Sequence, residues 1–109
     1  MQLPNRALAI IAQEKLTEYL LNVSHKRGGT KARLLGQFGY TVQNWGQLEA
    51  DIRSCLEIDV AVVRTTDYGI RYEIRMTLQT PSGMPLTVRT IWQMDEGTSF
   101  PRLITLYPD

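Results

Sequence analysis

The run Ser24-His25-Lys26-Arg27-Gly28-Gly29-Thr30-Lys31-Ala32-Arg33 holds the chain's single histidine, four cations and a pair of glycines. It stands directly ahead of an apolar-periodic stretch that reads as a helix. An imidazole takes or gives a proton near neutrality. Adjacent glycines allow a close approach of backbone to ligand, and a helix start surrounded by cations suits a phosphate. The plainer alternative is a solvated basic loop whose glycines only shape a turn.

Composition narrows the chemistry around this run. With 109 residues, 43% of them hydrophobic, the chain is long enough for one domain with its own core, needing neither disulfides nor a structural metal. Cys55 is the only cysteine, which excludes an internal disulfide. It falls in helical register with Trp45, Leu48 and Ile52, so a buried apolar role is expected of it rather than a nucleophilic one. No Cys/His cluster has metal-ligand spacing, and the expectation is a site with no metal and no cofactor. Behind Met1-Gln2-Leu3-Pro4-Asn5-Arg6 the apolar residues 8–11 give way at once to Gln13, Glu14 and Lys15. Neither a secretory signal nor a membrane span is expected, which points to a cytoplasmic protein without a membrane partner.

The formal net charge is +1, a weak basis for general nucleic-acid binding. Its distribution matters more. Carboxylates gather at Glu49, Asp51, Glu57, Asp59, Asp95 and Glu96, whereas cations dominate residues 26–33 and 64–75. A near-neutral total is compatible with a basic face.

Three helices are expected to carry and cover the loop. Leu16, Tyr19 and Leu20 recur at helical spacing after Gln13-Glu14-Lys15, giving a helix that stops near Asn22. A second begins with Thr30 as N-cap, sets Ala32, Leu35 and Phe38 on one side, and ends with Gly39 as its C′ residue. A third starts between Thr41 and Asn44, with Trp45, Leu48, Ile52 and Leu56 as a core-facing stripe.

From Val60 onward the period changes to alternation, and four strands are expected, at residues 60–66, 70–78, 86–92 and 102–107. Ile70, Tyr72, Ile74, Met76 and Leu78 alternate with Arg71, Glu73, Arg75 and Thr77, the pattern of one buried and one open face. Thr80-Pro81-Ser82-Gly83 is a turn signal, so a hairpin is implied. Setting Leu78 opposite Leu86 pairs Met76 with Val88, Ile74 with Thr90, and Tyr72 with Trp92 on the buried side, and Arg75 with Arg89 on the other. Like charges directly across a strand pair are unfavourable, and an anion would relieve them. Short connections through Asp67-Tyr68-Gly69 and Asp95-Glu96-Gly97 favour neighbouring antiparallel strands. The expected fold is α+β: two to three N-terminal helices on a four-stranded antiparallel meander, whose open face shows Arg71, Arg75, Arg89 and, depending on register, Thr105 and Tyr107.

Nearly the whole chain resembles a bacterial domain-of-unknown-function family. The stretches that carry the likeness are Leu3-Pro4-Asn5, Lys15-Leu16 with Tyr19-Leu20-Leu21, His25 with Gly28-Gly29 and Lys31-Ala32, Phe38-Gly39, Tyr68-Gly69 with Tyr72, Val88-Arg89-Thr90-Ile91-Trp92, and Pro101-Arg102-Leu103-Ile104-Thr105 with Tyr107-Pro108. Thr30 departs from the pattern, where another small residue is expected. A looser likeness rests on the order of elements, a histidine after the first helix, and a Thr/Tyr pair on the last strand. In these respects the chain is similar to the fold of barnase, colicin-type tRNA nucleases and RelE-type toxins. That likeness implies a small metal-independent ribonuclease acting on RNA and held in check by a cognate antitoxin or immunity protein, although fold alone does not establish function.

Cleavage of RNA without metal needs a base for the 2′-hydroxyl, charge to stabilise the phosphorane, and an acid for the leaving oxygen. His25 is the expected acid or base. Lys31 with Arg89 or Arg71 would stabilise the phosphate, and Thr105 and Tyr107 would position it or donate a proton. Lys26, Arg27, Gly28, Gly29, Arg64, Arg71 and Arg75 would bind RNA, and Tyr68 or Trp92 would stack a base. Each has a structural alternative. Trp92 shares the apolar parity of Tyr72 and so suits the core. Tyr68 suits an ordinary turn, the arginines a solvated sheet face with Glu73 as partner, and Thr105 and Tyr107 a strand. With one histidine, a second proton transfer falls to Lys, Tyr or Glu. Two rival functions stand beside the nuclease: a non-catalytic antitoxin or immunity module binding through the sheet face or an edge, and RNA binding without cleavage.

Overall fold

A computed structural model describes residues 3–27, 29–56 and 61–109. Among them are three helical segments followed by a four-stranded sheet of order β1-β2-β3-β4, every neighbouring pair antiparallel. The α+β meander expected from the sequence is therefore present.

The first segment, α1, is an α-helical turn Gln13–Lys15 that widens into a π turn over Leu16–Leu20, not one continuous α-helix. The Leu21 N–H donates to the Leu16 carbonyl at 2.8 Å, an i→i+5 bond. The wider turn brings Leu21 back over Leu16. Leu16, Leu20 and Leu21 are consequently all buried, which α-helical spacing would not achieve. It also leaves Tyr19 half-buried beside the core instead of inside it.

Helix α2 spans Gly29–Gln37, so Thr30 lies inside the helix and is not its N-cap. The segment starts earlier because the Gly29 N–H already bonds the His25 carbonyl at 2.9 Å. Gly29 is buried, and a Cβ there would stand 2.8 Å from the Val23 carbonyl oxygen. The glycine thus permits a close approach to the chain's own backbone. Gly28 lies outside the described residues. At the far end Gly39 has φ +98, with Tyr40 N–H on Leu35 O at 3.0 Å and Gly39 N–H on Gly36 O at 3.1 Å. This is the paired-bond αL termination that the sequence signalled.

Helix α3, Trp45–Cys55, follows a 3₁₀ turn Val42–Asn44. Leu48, Ile52, Cys55 and Leu56 are buried against the sheet, while Trp45 is half-buried at the margin of the core. Cys55 is thereby a core residue.

The strands are β1 (Ala61–Thr66), β2 (Gly69–Gln79), β3 (Pro85–Asp95) and β4 (Arg102–Pro108). The expected start at Val60 lies outside the described residues. In the long hairpin Leu78 pairs with Leu86, Met76 with Val88, Arg75 with Arg89, Ile74 with Thr90 and Tyr72 with Trp92. This is the register read from alternation. Trp92 is fully buried, and its Nε1–H donates to Thr90 Oγ1 at 2.8 Å, so the polar atoms carried into the core are satisfied.

Between β3 and β4 the register slips at Ile91/Trp92: Ile91 pairs with Thr105, but Trp92 pairs with Leu103. The extra residue lets Leu103 and Leu106 both face the core while Thr105 and Tyr107 point to the open face. The outer edge of β4 is partly covered. Ile10 bridges it in parallel, donating to the Pro101 carbonyl at 2.8 Å and accepting from the Leu103 N–H at 2.9 Å. Among the described residues no helix is long and apolar enough to cross a membrane.

Candidate functional site

α1, α2 and β4 converge on a triangle of polar side chains. Lys31 Nζ, in the first turn of α2, donates to Thr105 Oγ1 at 2.8 Å and to Tyr19 Oη at 3.0 Å, and the two hydroxyl oxygens are 3.2 Å apart. The Lys31 ammonium also stands 5.3 Å from the Tyr19 ring centroid and that of Lys15 5.4 Å. No carboxylate among the described residues forms an ion pair with either lysine. Burial raises the Tyr19 pKa, but the hydrogen bonds of Lys31 and Thr105 and the charges of Lys31 and Lys15 outweigh it and hold the phenol below its ordinary value.

His25 leans on this triangle. Its ring meets that of Tyr19 edge-on, centroids 4.9 Å apart and planes at 71°. The Arg27 backbone N–H donates to His25 Nδ1 at 3.0 Å, so the neutral ring carries its proton on Nε2. The exposed side chains of Lys26 and Arg27 flank the ring in the same loop.

The open face of the sheet carries a second cluster, and its charges are largely matched. Glu73 Oε1 accepts from Tyr107 Oη at 2.8 Å and from Arg89 Nη1 at 3.3 Å, and Arg64 Nη2 lies 3.8 Å from Oε2. The Tyr107 hydrogen bond, opposed by burial and aided by Arg89 and Arg64, keeps the Glu73 carboxyl below its usual range. The same bond pushes the Tyr107 phenol up. Arg75 lies opposite Arg89, as the register required, but the anion between them belongs to the chain. Asp109 bonds Arg75, and its other oxygen accepts from Arg89 Nε at 2.5 Å. These arginines, expected to present their charge to a phosphate, hold intramolecular carboxylates because β4 runs back beside β3 and delivers Asp109 to them.

Beside this network lies a cavity of about 280 Å³ lined by Arg64, Arg71, Glu73, Ile91, Ile104, Thr105 and Tyr107. Arg71 is held there by a 3.4 Å bond to Gln93 Oε1. Thr105 belongs both to this groove and to the Lys31 triangle, and joins them.

The structure thus brings His25, Lys31 and Thr105 together, and places Arg64, Arg71 and Tyr107 in the adjoining groove. Arg75 and Arg89 lie on the same face, engaged with Asp109. Tyr68 sits 79% exposed in the β1–β2 turn, where its carbonyl accepts from the Glu96 N–H, and makes no described contact with the Lys31 triangle. Trp92 is core and unavailable for stacking. Sequence reasoning missed two residues. Tyr19 was absorbed into a helical apolar stripe, although a tyrosine there carries a hydroxyl that a leucine would not. Asp109 stands apart from every motif, and only β4 pairing reveals its role.

The class the structure defines is one of fold: α+β, with helices on a four-stranded antiparallel meander. The chain belongs to the family described as Domain of unknown function (DUF6883), whose pattern matches residues 2–109. No curated protein matches it in sequence. Among solved structures it is similar to a chain of the contact-dependent growth inhibition toxin - immunity protein complex from Klebsiella pneumoniae 342. The TM-score is 0.70 at 15% identity, over 92% of this chain and 99% of that one. At that identity the likeness is one of fold.

Proposed function

We propose that the chain is a metal-independent endoribonuclease of the bacterial toxin type, acting in the cytoplasm on RNA and restrained by a cognate protein. The observation that carries this reading is the Lys31 ammonium, bonded among the described residues to the hydroxyl oxygens of Tyr19 and Thr105, with Thr105 also lining the groove that holds Arg64 and Arg71. An ammonium has three N–H donors. With two engaged, one remains for a ligand oxygen, and among the described residues no carboxylate neutralises its charge. Attack of a 2′-hydroxyl on phosphorus builds negative charge on the non-bridging oxygens, which a fixed cation stabilises. In this reading Lys31 supplies that charge, the Thr105 hydroxyl orients the phosphate, and His25 Nε2–H donates to it. Arg64, Arg71 and the loop cations Lys26 and Arg27 meet neighbouring phosphates. The fold likeness to a chain from a toxin–immunity complex supports a cognate partner.

A second reading, an antitoxin or immunity module, has its own support. Arg75 and Arg89 are neutralised by Asp109 and Glu73, as suits a face that meets protein more than polyphosphate. One experiment separates the two. The purified chain is incubated with total bacterial RNA in EDTA, and a parallel sample is used to capture protein ligands. RNA fragmentation by wild type and its loss in His25→Ala, with the fold retained, supports the nuclease. Intact RNA together with capture of one stoichiometric protein ligand refutes it and supports the module.

A further inference from the structure

We propose that Tyr19 is the base of this site, its Oη taking the proton of the attacking hydroxyl while Lys31 protonates the leaving oxygen. The inference rests on the ribonuclease reading above and adds a residue and a proton path to it.

His25 is the residue whose type suggests a base, but its geometry suits a donor. Nδ1 already accepts the Arg27 N–H, and a neutral ring in that state has its proton on Nε2. A proton acceptor must be found elsewhere. The cations facing Tyr19 favour loss of its proton, Lys31 from α2 at 3.0 Å from Oη and Lys15 from α1 over the ring; Thr105 Oγ1 from β4 lies 3.2 Å from Oη and can donate to it once the phenol is ionised, and the His25 ring meets that of Tyr19 edge-on. No carboxylate among the described residues bonds the phenol, unlike Tyr107, whose phenol donates to Glu73 and is pushed up by that bond. The depressed pKa of Tyr19 agrees with this asymmetry. The two tyrosines on either side of Thr105 are thus shifted in opposite directions, Tyr19 down and Tyr107 up.

The step balances. Tyr19, ionised and stabilised by Lys31, takes the 2′-hydroxyl proton as the 2′-oxygen bonds to phosphorus. The electron pair of the breaking P–O5′ bond goes to the 5′-oxygen, which takes a proton from the Lys31 ammonium. Tyr19 then returns its proton to the Lys31 amine across their shared hydrogen bond, restoring both groups. The products are a 2′,3′-cyclic phosphate and a 5′-hydroxyl.

The test combines kinetics with a readout that needs no RNA. Wild type, Tyr19→Phe and Lys31→Met are compared in EDTA for kcat and KM against pH, and by absorbance titration of tyrosinate near 295 nm, with circular dichroism as the fold control. The expected result is a kcat about 10²–10⁴-fold lower in Tyr19→Phe with little change in KM. The wild-type rate should rise with pH along a limb that Tyr19→Phe lacks. One tyrosine should ionise early in wild type, be absent from Tyr19→Phe, and ionise at higher pH in Lys31→Met. Wild-type cleavage that Tyr19→Phe reproduces, with the same pH profile, overturns Tyr19 as base and leaves the nuclease standing. An early-ionising tyrosine unmoved by Lys31→Met also overturns the proposal. RNA left intact by wild type refutes the nuclease reading, and this proposal with it.

Discussion

Thr105→Val removes the oxygen that joins the helical triangle to the open-face groove and keeps a β-branched shape suited to a strand. Three contacts disappear, the 2.8 Å bond from the Lys31 ammonium, the 3.2 Å contact with Tyr19 Oη and the 3.4 Å bond to the Leu106 carbonyl. A hydrogen bond to a charged group contributes about 1.5–3 kcal/mol. Lys31 is only half-buried, so its ammonium turns to water and Tyr19 instead of standing unsatisfied. The low end of that range applies, further reduced by the apolar surface valine adds. The expected loss is about 1 kcal/mol, or roughly 4 °C in melting temperature for a chain of this size. The distinguishing feature is coupling. Lys31→Met breaks the same bond, so the double variant should fall short of additivity by about 0.5–1 kcal/mol. Urea denaturation of the four proteins of the cycle, followed by circular dichroism, gives the number. Full additivity, or a Thr105→Val variant as stable as wild type, would show that the triangle is not a coupled unit.

Other consequences follow from the same geometry. Because Glu73 binds its proton less readily folded than unfolded, the stability it adds is full above the ordinary glutamate value of about 4.3 and is lost as pH falls through the lower folded value. The urea midpoint should therefore fall less between pH 7 and pH 3 in Glu73→Gln than in wild type, and equal falls would dispute the Tyr107–Glu73–Arg89 network. At Gly39, where φ is +98 and an added Cβ would meet the Pro81 Cβ at 2.9 Å, alanine should lower stability by about 1–2 kcal/mol. Gly36→Ala, inside α2 with open space around it, should raise stability by about 0.5 kcal/mol. Thr90→Val leaves the buried Trp92 Nε1–H without its acceptor and should cost about 1–3 kcal/mol. A neutral result would mean that water or a shifted indole replaces the bond.

The sheet was legible because strand alternation and turn chemistry act locally and agree. Ile70 to Leu78 on one side of Pro81-Ser82-Gly83 and Leu86 to Trp92 on the other favour a register that buries Tyr72, Ile74, Met76, Leu78, Leu86, Val88 and Trp92 together, and that is the register found. Gly39 was equally legible, since its αL termination needs a residue without Cβ. The π turn was not. It arises from the demand to bury Leu16, Leu20 and Leu21 together, a tertiary requirement without a local signature. The site was half legible. His25, Lys31 and Thr105 each stand out by type and position, but residue types do not reveal that Lys31 reaches Thr105 past Tyr19. Nor do they reveal that Asp109 closes over Arg75 and Arg89, a contact set by how far β4 extends.

The most direct test of the Lys31-centred site is end analysis of a labelled RNA incubated with the chain in EDTA, wild type beside Lys31→Met. Fragments ending in 2′,3′-cyclic phosphate and 5′-hydroxyl, produced by wild type and reduced at least about 100-fold in the variant, are the predicted result. RNA left whole by wild type, or cut equally well by Lys31→Met, would contradict the account.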